Sequence, residues 1–176
     1  MYLVFYIAAA VAVVSTALVI IQMNVVHALL YLILSLLAVA VIFFALGAPF
    51  VAALEVIIYA GAIMILFVFV IMMLNLGAQS AQMEKLWLRG RMWTGPVLLA
   101  AVLLADVVYM LASSALKPGP VGMAGLKAVG PKVVGIALFG PYLVGVELAS
   151  ILLLAGLIGA YHLGGPKKNK PQGGRK

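Results

Sequence analysis

The chain has 176 residues, 67% of them hydrophobic and only 9% charged, with eleven Lys and Arg against four Asp and Glu for a net charge of +7. So little polar surface excludes a water-soluble globular enzyme, and so much hydrophobicity excludes intrinsic disorder. An integral membrane protein remains. A bilayer core of about 30 Å takes roughly 20 apolar residues as a helix. Five runs reach that length, at about residues 2–21, 25–46, 50–74, 95–115 and 141–161. The runs are continuous rather than alternating, which predicts an all-α polytopic protein and not a barrel. Met1-Tyr2-Leu3-Val4 lacks the basic start of a cleaved signal peptide, so the first run is expected to stay as a helix.

Gln22-Met23-Asn24 parts the first run from the second, and Gly47-Ala48-Pro49 parts the second from the third. Connections this short make the first three helices antiparallel neighbours. The third connection, Asn75 to Trp93, is polar and carries Glu84, Lys85, Arg89 and Arg91. The fourth, Leu116 to Gly140, reads as a loop rich in Gly and Pro. Residues 1–163 are thus expected to form one five-helix transmembrane domain, and 164–176 a basic, disordered cytoplasmic tail.

Lys85, Arg89 and Arg91 share one side of the membrane with Lys167, Lys168, Lys170, Arg175 and Lys176, whereas the other side holds only Lys117, Lys127 and Lys132. The positive-inside rule then places the C-terminus in the cytoplasm and the N-terminus outside, with Trp87 and Trp93 at the cytoplasmic interface. The basic residues sit beside spans and face the lipid bilayer; without a basic face carrying interleaved aromatics, no nucleic-acid partner is expected. There is no Cys, so disulfides, thiolate metal sites and Cys-ligated iron–sulfur clusters are not expected in this chain.

Four ionisable side chains fall in or near the spans: His27, Glu55, Asp106 and Glu147. A carboxylate at a helix centre costs on the order of 2.5–3.5 kcal/mol on insertion scales, so such residues face protein or water. Helix rise puts Glu55 roughly 9 Å beyond Pro49, Glu147 roughly 9 Å beyond Pro141 and Asp106 roughly 16 Å beyond Gly95. No Lys or Arg lies within a span to pair with them. The acids suit a proton relay, or else they cap, bond a neighbouring helix, or meet a base of another chain. His27, at the start of the second helix, is read as a structural or headgroup-contacting residue.

In the third run, Glu55, Tyr59, Ala62, Leu66 and Phe69 line one stripe at 100° per residue. Ala60, Gly61 and Ala62 permit close helix approach, and Gly61 weakens the helix locally. A π-bulge there would turn everything beyond it by about 100°, moving Phe67 and Phe69 between faces, as a gate would.

The stretches Asn24-Val-Val-His27 to Leu36, Gly47-Ala-Pro-Phe50 and Glu55-Val-Ile-Ile-Tyr59-Ala-Gly61-Ala-Ile-Met64-Ile-Leu-Phe67 on to Met73 closely resemble one family. It is the J chain, or chain 10, of bacterial respiratory complex I, the relative of mitochondrial NADH dehydrogenase subunit 6. Tyr142-Leu-Val-Gly-Val-Glu147-Leu-Ala-Ser150 adds a second match, while the fourth run and both long loops match weakly. The resemblance implies a subunit of a proton-pumping NADH:quinone oxidoreductase in the bacterial inner membrane, beside the A, K, H and antiporter-like chains. It implies no catalytic centre or cofactor here, with flavin, iron–sulfur clusters and quinone held by partner subunits. It also implies a π-bulge over Tyr59, Ala60, Gly61, Ala62, Met64 and Phe67, with Tyr59, Glu147, Glu55 and Asp106 as candidates for the proton path. Two departures stand out: the family often has Gln where Glu55 stands, and Asn-Pro where Asn24-Val25 stands. The other readings are a subunit of a cation/proton antiporter and a scaffold that only packs helices and lipid.

Overall fold

A computed structural model describes residues 2–73, 93–116 and 128–165, with side chains to Ser113 in the middle stretch. All described elements are helical: α1 (Tyr2–Ile21), α2 (Val25–Ala45), α3 (Pro49–Leu54), a π-helical segment (Glu55–Ile63), α4 (Met64–Met73), α5 (Thr94–Leu116), α6 (Pro131–Leu138) and α7 (Leu143–Gly164). The stretch from α3 through the π segment to α4 runs on as one span, Pro49–Met73, and five helices in total are long and apolar enough to cross a membrane. The expected connection around Trp87 and the expected tail beyond Gly165 lie outside the described residues, while Gly164, where that tail was expected to begin, still belongs to α7.

The ends of α2 show why the first turns are so short. Asn24 caps its start, the side-chain Oδ1 accepting from the backbone N–H of Val26 at 2.9 Å and of His27 at 3.3 Å. At its end Gly47 takes a left-handed φ of 85°. The N–H of Gly47 then reaches Phe44 O, and that of Ala48 reaches Phe43 O, each at 3.0 Å. This six-residue closure needs a residue without a Cβ, and Pro49 follows as the first residue of α3, where a missing N–H costs nothing. The Val129 N–H ties the same turn from outside by donating to Gly47 O at 2.9 Å.

The described chain falls into two units, one up to Gly130 and one from Pro131. In the first, α1 and α2 pack along their length, α5 lies against both, and α3 with the π segment packs on α2. Their seam is built from Val4, Ala8 and Val11 of α1, Ala38, Val41 and Ala45 of α2, and Leu103 and Met110 of α5. Six of these eight are Ala or Val, and because lipid tails are as apolar as the seam, close packing across it supplies the attraction. Gly95 is the tightest instance: a Cβ there would collide with the hydroxyl of Tyr31, which is itself buried. Gly95→Ala is therefore expected to destabilise the α2–α5 contact by about 1–3 kcal/mol. Tyr31→Phe, which removes the colliding atom, should restore part of the loss; thermal unfolding of single and double variants measures that coupling.

In the second unit, residues 131–138 form a helix where the sequence reading expected only loop. Pro131 opens it, and Lys-Val-Val-Gly-Ile-Ala-Leu continues it, a stretch too short to register as a span. A Cβ at Gly140, in the turn before α7, would lie 2.7 Å from Ile136 O, so that turn requires glycine.

Candidate functional site

The third span carries the site. Nine residues, Glu55–Ile63, adopt π geometry, and at its end the Met64 N–H donates to Tyr59 O, five residues back, and to Gly61 O. Ordinary α geometry runs up to its start, where the Glu55 N–H donates to Val51 O and Ala52 O. The wider π turn brings Val56 O close to Gly61, and a Cβ on Gly61 would lie only 3.1 Å from it. The family-derived expectation of a bulge at Gly61 is met by a longer segment that begins at Glu55. The 3.6-residue stripe of Glu55, Tyr59 and Ala62 read from the sequence assumes α spacing, which does not hold across these residues.

Burial along this span is uneven in a telling way. None of the nine π residues is buried, yet Ala52 just before them and Met64 just after them are, Met64 to 2% exposure. Tyr59 is 49% exposed, and Phe67 and Phe69 are also exposed. Beside the segment lies an open groove of about 500 Å³ between α2, α3 and α5, lined by residues such as Leu37, Phe44, Ala53, Val56, Leu104 and Val107. All the lining side chains are apolar. Among the described residues no cluster of three His, Asp or Glu could hold a metal ion.

Of the three candidate acids, two lie in the first unit and one in the second. Glu55 opens the π segment and is partly exposed. Asp106 is 6% exposed and points into the α1–α2–α5 seam, between Leu103 and Met110 on the same helical stripe; its Oδ2 has no hydrogen-bond partner. Among the described residues no hydrogen bond or ion pair links it to Glu55. Glu147 belongs to the second unit, exposed on α7, where its backbone carbonyl accepts from Ser150 Oγ at 2.7 Å.

Two features escaped the sequence reading. Thr16 Oγ1 and Ser35 Oγ meet across α1 and α2 at 2.7 Å, and both hydroxyls reach the carbonyl of Ala12. His27, read from the sequence as a structural or headgroup-contacting residue, is buried to 6% exposure, its ring edge-on to Trp93 with centroids 6.1 Å apart. The signal was available: His27, Tyr31 and Ser35 recur every four residues on α2, and Ser15 continues the stripe Val4, Ala8, Val11 on α1.

The family of NADH-ubiquinone/plastoquinone oxidoreductase chain 6 matches residues 15–163, well over half of the sequence. The chain belongs to this family. It is similar to NADH-quinone oxidoreductase subunit J of Pseudomonas aeruginosa, 57% identical over 160 residues covering 91% of this chain and 94% of that one. The subunit J of Escherichia coli is 52% identical over 160 residues, 91% of this chain and 84% of its own. That of Buchnera aphidicola subsp. Schizaphis graminum is 49% identical over 168 residues, 96% of this chain and all of its own. With its five apolar spans, this member of the chain 6 family is a multi-pass inner-membrane subunit of an NADH-quinone oxidoreductase, and other subunits of that complex are its partners.

Proposed function

We propose that this subunit couples quinone reduction elsewhere in the complex to proton translocation, through a switch of the third span between π and α geometry. The supporting observation is the suspension of nine unburied π residues between two buried anchors, Ala52 and Met64. A change of turn inside the segment displaces no buried residue within the segment itself. Beyond it the helix would rotate by about 100°, one α-helical residue, so Ile63 or Ile65 would take the place of Met64. All three are apolar, and the seat tolerates the exchange. The groove beside Val56 leaves room for the moving wall.

In this reading the chain holds no redox group; flavin, iron–sulfur clusters and quinone reside in partner subunits. Its neighbours are the A, K, H and antiporter-like chains, which cover the exposed faces of the third span and of α7. The C-terminus faces the cytoplasm, following the excess of Lys and Arg on that side. Tyr59, exposed on the π segment, rotates with it and makes or breaks a hydrated path in which Glu55, Asp106 and Glu147 are candidate stations.

Imaging the intact complex by cryo-electron microscopy, at rest and during NADH turnover, tests the switch. Both registers should occur, with Phe67 and Phe69 on different faces in the two. A single register under every condition would leave the scaffold reading in its place.

A further inference from the structure

The α1–α2–α5 seam changes character along its length. Trp93 meets His27, and Gly95 meets Tyr31, so α5 advances in step with α2; Thr16 and Ala12 meet Ser35, which fixes α1 against both. From the end carrying Asn24, the buried side chains run His27, then Tyr31, then Ser15 with Ser35, each step about one turn or 6 Å. Next comes an apolar layer of Val11, Ala38 and Leu103, and Asp106 lies beyond it. The polar half holds orphaned atoms. Ser15 is fully buried and its Oγ has no hydrogen-bond partner; both ring nitrogens of His27 are buried and equally without one. Nearby hydroxyls do not answer this need, because Thr16 and Ser35 are engaged with each other and with Ala12 O.

A buried hydroxyl or imidazole left unpaired costs about 1–3 kcal/mol each, and native interiors meet such groups with bound water. We propose that the Asn24 end of this seam is a water-binding site: a short file of waters, entering past His27 and Trp93, hydrogen-bonded to His27 Nδ1 and Nε2 and to Ser15 Oγ, and ending beneath the layer of Val11, Ala38 and Leu103. Tyr31 lines the side of the file between its two ends. Asp106 lies beyond the stop, outside this file. The site is separate from the third span and stands whether or not the π segment switches.

The test is a cryo-electron microscopy map of the intact complex at a resolution that shows ordered water, for the unaltered chain and for Ser15→Ala. Discrete density is expected within hydrogen-bonding distance of Ser15 Oγ and of a His27 ring nitrogen, with the peak at residue 15 lost in the variant and the one at His27 kept. A side chain of a neighbouring subunit seated on His27, or empty space at both groups, would overturn the proposal. Water continuing past Leu103 to Asp106 would equally overturn it, since the file would then have no end.

Discussion

Replacing Gly61 with alanine is expected to lower the number of protons pumped per NADH oxidised several-fold, while the complex still assembles. The reason lies in the π geometry itself. A Cβ at position 61 meets Val56 O at 3.1 Å, a contact present because the wider turn carries that carbonyl five residues back. The intrinsic gain of alanine over glycine in a helix largely cancels, because both registers of the segment are helical. The crowded contact therefore decides the sign, and it disfavours the π register by about 1–2 kcal/mol, roughly a 5–30-fold change in the ratio of the two registers. Gly61→Val, with two more methyl groups at the same place, should hold the span nearly entirely in the α register and abolish pumping. Proton uptake by inverted vesicles, measured with NADH oxidation on the same sample, supplies the ratio. A ratio unchanged in both variants, in complexes shown to be intact, would sink the gating role.

The five spans were legible in the sequence because each is a run of about 20 apolar residues bounded by polar, Gly or Pro residues, and the bilayer imposes that length. Gly47 and Asn24 were equally readable as breaks, and the structure makes them a left-handed closure and a helix cap. The π segment was half legible. Gly61 and the family resemblance pointed to it, but its start at Glu55 depends on which carbonyl each N–H selects, and composition carries no trace of that choice. The helix at 131–138 was missed since eight residues make only a little over two turns. The polar seam was overlooked for another reason. Ser, Thr and Tyr count little in any hydropathy sum, and although each stripe is visible on its own helix, the order His27, Tyr31, Ser15 and Ser35 depends on how three helices face each other.

Asp106→Leu is expected to make the subunit more stable, by about 1–3 kcal/mol, rather than less. Asp106 occupies a core position in every geometric sense: its stripe on α5 continues through Leu103 and Met110, it is 6% exposed, and the residues around the seam are Val, Ala, Leu and Met. One carboxyl oxygen is buried there without a hydrogen-bond partner. Leucine, with the same branched heavy-atom skeleton and bulkier methyl ends, removes that unmet demand and adds apolar contact. Asp106→Asn gives the contrast, since the amide brings its own donors and acceptor to the same apolar place and should yield no gain. Thermal unfolding of the solubilised complex, followed by the loss of this subunit, would rank the three in the order Leu above Asp, with Asn at or below Asp. A fall in stability with leucine would mean that the carboxyl is engaged in the assembled complex, by a partner chain or by water crossing the Leu103 layer. If stability rises while pumping falls, the acid is held in the seam at a thermodynamic loss for the sake of function, which is what separates a proton-path residue from a packing residue.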